Sequence, residues 1–317
     1  MRPNHFGICR KILPKPLFPS HSLSYFLFCG LFIFILLISL AGCRQEQSEV
    51  QSDASSLSIQ TIENKGSDTL VNIALAWAEN YMGQQPDVRI SVTGGGSGTG
   101  IAALINGTVD IANASRAMKA EEIEAAQGNG ITPVQIVVAQ DAIAIVVHPS
   151  NPVDKLTLQQ ISDIYTLKIT NWNQLGGEDR PIVPLSRQSN SGTYVYFLEN
   201  VIRSGNKESN LLFSPDVLLM PSSEGISVEI RQNPNAIGYD GLGYVGEGQK
   251  VIAVAINSDG LYVFPSSETV NQGSYPIARP LYMYTAGETS GAMKAYLDWI
   301  LNEGQVLVSE LGFVPLK

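Results

Sequence analysis

Cysteine, histidine and basic residues are all scarce in this 317-residue chain. The three cysteines are Cys9, Cys29 and Cys43, and the first two fall in an apolar N-terminal leader. The rest of the chain therefore holds one thiol with no disulfide partner, and zinc sites built on several cysteines are excluded. His5 and His21 also lie in the leader, which leaves His148 alone. A lone His is more often structural or solvent-facing than catalytic. With the four basic residues of the leader set aside, 16 basic residues face 29 acidic ones, a net charge of −13. Nucleic-acid binding rests on basic patches, and this balance argues against it. Good aliphatic content and frequent glycine describe a globular chain, not a disordered one.

The leader itself is informative. Arg2, Arg10, Lys11 and Lys15 precede an apolar run from Leu23 to Leu40, and Leu40-Ala41-Gly42-Cys43 follows. A basic flank, an apolar stretch and a small-residue cleavage site define an export signal. The run nearly reaches the length of a membrane span, so an uncleaved anchor is the competing reading. The Cys directly after Leu-Ala-Gly favours the signal. It resembles the bacterial lipobox, in which cleavage leaves the Cys as a lipid-modified first residue, and this implies lipidation at Cys43. The 275 residues from Cys43 to Lys317 can hold one large or two ordinary domains. The polar, Ser/Gln-rich start of that stretch, RQEQSEVQSDASSLSIQ, reads as a flexible tether.

Beyond the tether, strands alternate with helices. Strands are predicted at Ser58–Asn64, Val88–Thr93, Val109–Ala114, Val134–Ala139, Ala142–His148, Val183–Ser186, Ala236–Tyr239, Val251–Ala255 and Leu281–Tyr284. Helices are predicted at Thr69–Met82, Thr99–Asn106, Ala120–Gln127, Thr157–Tyr165, Ser191–Val201, Gly225–Gln232 and Gly291–Glu303. In the first, Leu70, Ile73, Ala74, Trp77 and Tyr81 share a face; in the last, Trp299 and Ile300 read as core. Such alternation indicates a mostly parallel α/β architecture.

Four short segments share one chemistry: Gly66-Ser67-Asp68-Thr69, Gly94–Gly100 (GGGSGTG), Asn113-Ala114-Ser115-Arg116, and Arg187-Gln188-Ser189-Asn190-Ser191-Gly192-Thr193. Each follows a strand and places small hydroxyl residues, with or beside glycine, near a helix start. Free helix N–H groups, close backbone approach and hydroxyl donors together suit an anion. Any one of these segments is more often an ordinary cap or turn. Four of them, two with an Arg attached, shift the reading toward a binding site at the carboxyl ends of strands.

Named motifs do not fit. Gly94–Gly100 lacks the Gly-Lys-Ser/Thr of a nucleotide P-loop and the spacing of a dinucleotide fingerprint. Ser97 has Thr99 where a nucleophile elbow needs glycine, and no His is placed to serve Ser97 or Ser191 as a base. Hydrolase chemistry is not expected, and neither a cofactor nor a metal is called for.

KGSDTL (Lys65–Leu70), GGGSGTGI (Gly94–Ile101), IANASRAM (Ile111–Met118), the Arg187–Thr193 segment and YPIARPLYMYT (Tyr275–Thr285) resemble the phosphate-binding component of Pst-type ABC transporters. The match runs in order from about residue 60 to the C-terminus. The resemblance implies an α/β, two-lobed periplasmic-binding-protein-like fold of type II, each lobe a mixed, mostly parallel sheet flanked by helices. It implies a signal at 1–42, a tether at 43–59, one lobe from 60–145 plus 275–317, and a second from 146–274. The chain would cross between lobes near Ala142–His148 and again near Ile277–Tyr284. Asp68, Thr69, Ser97, Ser115 and Arg116 would serve from the first lobe, and Arg187, Ser191, Gly192 and Thr193 from the second.

One position departs from the family pattern. Relatives often place an acidic residue two positions after the second-lobe Arg, where this chain has Ser189. A buried carboxylate can accept the proton that phosphate retains near neutral pH and would repel sulfate, which has none. The acceptor must come from elsewhere, and Asp68 and Asp141 are the candidates; Asp141 has the plainer alternative of capping a turn or pairing with Arg116. The net negative charge is no obstacle, because local donors set affinity. The expectation is an exported, lipid-anchored, monomeric protein that captures inorganic phosphate for an ABC permease. Its alternatives are a carrier of sulfate, molybdate or tungstate, and a surface phosphate sensor or adhesion protein without a transporter.

Overall fold

The computed structural model describes residues 59–317; the leader, Cys43 and the tether up to residue 58 lie outside the described residues. The chain opens with three parallel strands, β1 (Gln60–Gly66), β2 (Val88–Thr93) and β3 (Ile111–Ala114). They are joined by α1 (Val71–Gln84), entered through a 3-10 turn at Asp68–Leu70, and by α2 (Ser97–Ile105). α3 (Ala120–Gly128) leads into β4 (Val134–Val147). The second set comprises β5 (Lys155–Thr157), β6 (Val183–Arg187), β7 (Leu218–Met220), β8 (Ala236–Gly241) and β9 (Lys250–Ala255). Its helices are α4 (Leu158–Tyr165), α5 (Gly192–Phe197) with a π-helical turn at Leu198–Ile202, α6 (Ser223–Gln232) and α7 (Ser267–Asn271). The chain returns through β10 (Ala278–Thr285) and closes with α8 (Gly291–Leu301) and α9 (Gln305–Glu310).

The strand order is β2-β1-β3-β10-β4-β8-β6-β7, with β9 set between β4 and β5. Pairs β1–β2, β1–β3, β5–β9, β6–β7 and β6–β8 are parallel. Every antiparallel strand pair involves β4, which passes from the first set to the second, or β10, which receives the returning chain in the first. The result is the mixed α/β, two-lobed architecture the resemblance implies, with a curled sheet flanked by helices.

β4 differs from expectation in an informative way. Two strands were expected either side of Asp141, and the structure has one of 14 residues. Asp141 stays in the strand because Arg279 of β10 lies directly opposite it in register and neutralises it. The first part of β4 pairs with β10 through Ala142, and from Ile143 the strand pairs with β8 and then β9. The passage between the two sets is therefore at Ala142/Ile143.

Each set has its own apolar core. In the first, Ile73, Ala74, Trp77 and Tyr81 of α1 pack with Leu281, Met283, Tyr296, Ile300 and Phe313. These α1 residues are the face expected from their spacing, and Ile300 is core as expected, with Trp299 partly buried at its margin. In the second, Phe197 stacks on Tyr239 at 3.7 Å, with Tyr165, Trp172 and Phe213 in the same cluster. The expected Ser191–Val201 helix is α-helical only to Phe197, then widens into the π-helical turn. Short β5, β7, α7 and α9 were not expected; three to six residues carry too little periodicity to read. Among the described residues, no helix is long and apolar enough to cross a membrane.

Candidate functional site

The four hydroxyl-bearing turns each stand just beyond a strand, after β1, β2, β3 and β6. Local chemistry makes each turn. Ser191 caps α5, its Oγ accepting the N–H groups of Thr193 (3.2 Å) and Tyr194 (3.4 Å). Gly96 precedes α2 at φ +92°, and a Cβ there would stand 2.8 Å from the Asn190 carbonyl. Only glycine lets these loops meet, one from each lobe. The contact is then sealed by Gly98 N–H donating to Asn190 O (3.0 Å) and Asn190 Nδ2 donating to Gly95 O (2.8 Å).

The hydroxyls converge. Ser115 N–H donates to Ser97 Oγ (3.0 Å), the Ser97 and Ser115 hydroxyls are 3.3 Å apart, and Ser67 Oγ donates to Ser115 Oγ (2.9 Å). A Cβ on Gly192 would fall 2.3 Å from Ser97 Oγ and 2.6 Å from Ser115 Oγ, so the start of α5 abuts these first-lobe hydroxyls. Thr69 Oγ1 and Thr193 Oγ1 are 2.9 Å apart across the same junction. Ser97, Ser115, Thr69 and Thr193 are all buried.

Two guanidiniums flank the cluster. Arg279 donates to Asp141 Oδ2 through Nη2 (2.9 Å) and Nε (3.3 Å), to Ser115 O through Nη1 (2.9 Å), and to Thr193 Oγ1 through Nη2 (2.9 Å). The Tyr196 ring stands 5.5 Å from its Cζ. Arg187 donates Nη2 to Asp68 Oδ2 (2.7 Å) and Nη1 to Ser223 Oγ (2.7 Å). Ser223 Oγ in turn donates to Asp240 Oδ1 (2.8 Å). Burial pushes the Asp141 carboxyl up, against the pull of the Arg279 charge and the hydrogen bonds from Arg279 and Leu242. Burial likewise pushes Asp240 up to about 6, opposed by Arg187, Ser223 and Gly241.

Of the residues singled out from the sequence, the structure brings together Asp68, Thr69, Ser97, Ser115, Asp141, Arg187, Ser191, Gly192 and Thr193. The Arg116 guanidinium stands at the edge of the cluster, 3.8 Å from where a Cβ on Gly98 would lie, and forms a bidentate pair with Glu122 at 2.7 and 2.6 Å. Although burial opposes it, that pair and the Lys119 N–H hold the Glu122 carboxyl below its usual range. The pairing of Asp141 with Arg116 is therefore corrected: the partner of Asp141 is Arg279. A cavity of about 570 Å³ opens alongside, walled in part by Arg116, Lys119, Tyr196, Arg203 and Arg279.

Arg279, Ser223 and Asp240 escaped the sequence reading as site residues. A signal was present for two of them. Arg279 and Asp240 are single charges inside apolar strand segments (IARPLYMY and AIGYDGLGY), and such charges are costly unless they are paired. Ser223 carried no signal beyond that of an ordinary helix start. Among the described residues there is no group of three or more His, Cys, Asp or Glu arranged to hold a metal ion. Several hydroxyls, backbone donors and two guanidiniums around one point suit a compact anion with many acceptor oxygens.

Comparison with known proteins bears on the same point. Residues 51–303 match the PBP superfamily domain. Phosphate-binding protein PstS of Pseudomonas aeruginosa is 33% identical over 273 residues, covering 80% of this chain and 83% of the relative. PstS of Bacillus subtilis is 30% identical over 288 residues, covering 89% and 91%. A crystal structure from Clostridium perfringens, described as a phosphate ABC transporter substrate-binding protein with bound phosphate, superposes with a TM-score of 0.73 at 35% identity, covering 81% of this chain and all of that one. The chain thus belongs to the PBP superfamily, in the family of the phosphate-binding proteins PstS.

Proposed function

We propose that this protein captures inorganic phosphate, as hydrogen phosphate, between its two lobes and delivers it to an ABC permease. The lobes are residues 60–145 with 275–317, and residues 146–274, hinged within β4 and where the chain returns ahead of β10. One observation carries the reading: Thr69, Ser97 and Ser115 of the first lobe meet Gly192 and Thr193 of the second, with Arg187 and Arg279 beside them. The relatives' phosphate-binding role supports the same ligand.

Selectivity for a protonated oxyanion needs an acceptor, and Asp68 suits that role better than Asp141. Both Asp141 oxygens are committed within a fully buried pair, Oδ2 twice to Arg279 and Oδ1 to Leu242 N–H. Asp68 retains 15% side-chain exposure and has one donor on each oxygen, Gly95 N–H and Arg187. Arg116 contributes through its place in the turn after β3, not through its guanidinium.

The remaining features fit a carrier. The leader directs export, Cys43 takes a lipid, and the tether lets a monomer act at the membrane surface. The protein has no catalytic role in this scheme. Isothermal titration of the chain from Cys43 onward tests the proposal. Tight phosphate binding with sulfate weaker by a hundredfold or more is expected, and equal affinities or no phosphate binding would sink it.

A further inference from the structure

Three carboxylates, Asp68, Asp141 and Asp240, surround the two guanidiniums of Arg187 and Arg279. The formal charge of this group is −1 before any anion arrives, and a captured oxyanion makes it more negative. Burial makes such an excess costly, and uptake of a proton is the usual relief.

The hydrogen bonds say where that proton can go. Asp68 has a donor on each oxygen: Gly95 N–H on Oδ1 and Arg187 on Oδ2. Asp141 has Leu242 N–H on Oδ1 and Arg279 on Oδ2. A proton on any of these four oxygens would share it with a donor already there, and would weaken that donor's hydrogen bond. Asp240 differs. Its Oδ1 accepts both the Ser223 hydroxyl (2.8 Å) and Gly241 N–H (2.9 Å), while its Oδ2 is buried with no partner among the described residues. A proton on Oδ2 would leave every existing hydrogen bond in place, including the Ser223 link that holds Arg187. The groups facing Asp240 are Arg187 of β6, Asp141 of β4, and Tyr244 of the turn after β8. Asp68 is reached through Arg187.

We propose that Asp240 is a proton-accepting positioning residue: it orients Arg187 through Ser223, and capture of the oxyanion is accompanied by protonation of its Oδ2. The inference rests on the proposed phosphate site. No bond other than O–H is made, and the proton comes from solvent as the lobes close. The position of Asp240, 1% exposed and already titrating near 6 through burial, is consistent with such a shift.

Calorimetric titration with inorganic phosphate at pH 7.5, in two buffers of different ionisation enthalpy, counts the protons exchanged on binding. Phosphate's own proton change is common to wild type and Asp240→Asn, so the difference between them isolates Asp240. The wild type is expected to take up more protons than the variant, the difference approaching one. The Asn oxygen can still accept from Ser223, and the proton count per phosphate bound is taken with each form saturated, so a change in affinity does not enter the comparison. Equal proton counts would overturn the proposal while leaving phosphate capture intact; a wild type that binds no phosphate would overturn both. Should the variant fold poorly, the Asp240 carboxyl can be titrated by carbon NMR in the wild type. Its midpoint is expected to rise when phosphate is added, and an unmoved midpoint overturns the proposal.

Discussion

Arg279 and Arg187 flank the same cluster in opposite ways. Arg279 sits near the start of β10, in register with Asp141 of β4, and the side chains of this pair are 1% and 0% exposed. Its donors go to Asp141, Ser115 and Thr193, and Tyr196 stands against its guanidinium. Arg187, at the end of β6, instead reaches Asp68 in the turn after β1, and its Nε is buried without a partner among the described residues. Both guanidiniums touch both proposed lobes, Arg279 through Thr193, but their ion pairs differ: Arg279–Asp141 lies within the first, whereas Arg187–Asp68 joins two parts that the proposed hinge would separate. A buried ion pair inside one rigid body mainly governs stability, whereas one that spans a moving junction mainly governs closure.

The largest expected effect breaks the first of these. Arg279→Ala leaves Asp141 buried without its counter-charge and should cost roughly 3–5 kcal/mol, read by chemical denaturation. A double variant, Arg279→Met with Asp141→Leu, should recover part of that loss. If the single variant is as stable as wild type, the pair is not the structural element described. Arg187→Ala is the contrasting case. Phosphate affinity should fall by about 2–4 kcal/mol in calorimetry, while stability falls by less than with Arg279→Ala. Equal stability losses in the two variants would erase the distinction.

A smaller effect sharpens the contrast through pH. The Asp240 carboxyl is raised to about 6 by burial, so its protonated form is the one the fold favours. Its contribution to stability is fully present below the ordinary carboxylate range and is lost as pH rises through about 6. Without phosphate, Asp240→Asn should flatten the stability profile between about pH 4 and 7, by on the order of 2 kcal/mol. Thermal denaturation across that range checks it, and an unchanged profile would count against a strained carboxylate. The smallest effect concerns Arg116. Because Glu122 holds its guanidinium, Arg116→Ala should change phosphate affinity by less than about threefold. A hundredfold loss would return that guanidinium to the ligand.

Much of this arrangement was legible in the residues. The α1 face, the strands of the first lobe and the turns after β1, β2, β3 and β6 follow from apolar spacing and from glycine and hydroxyl residues at helix starts. These signals are local, set by nearest-neighbour geometry. Other features were not legible for equally physical reasons. Asp141 looked like a strand terminator until a cation 138 residues away was found opposite it. The partner of Arg116, Glu122 six positions on, was not legible either. Ser189 raised the question of which carboxylate accepts the proton of phosphate; in space Asp68, in the turn after β1, reaches Arg187 directly, and Asp240 of β8 reaches it through Ser223.

The sequence by itself therefore determined the alternating α/β build, the chemistry of a small-anion cleft and the residues that line its turns. Only the tertiary structure decided which charge answers which. Ion pairs depend on distance in space, and the folded chain sets those distances independently of sequence separation.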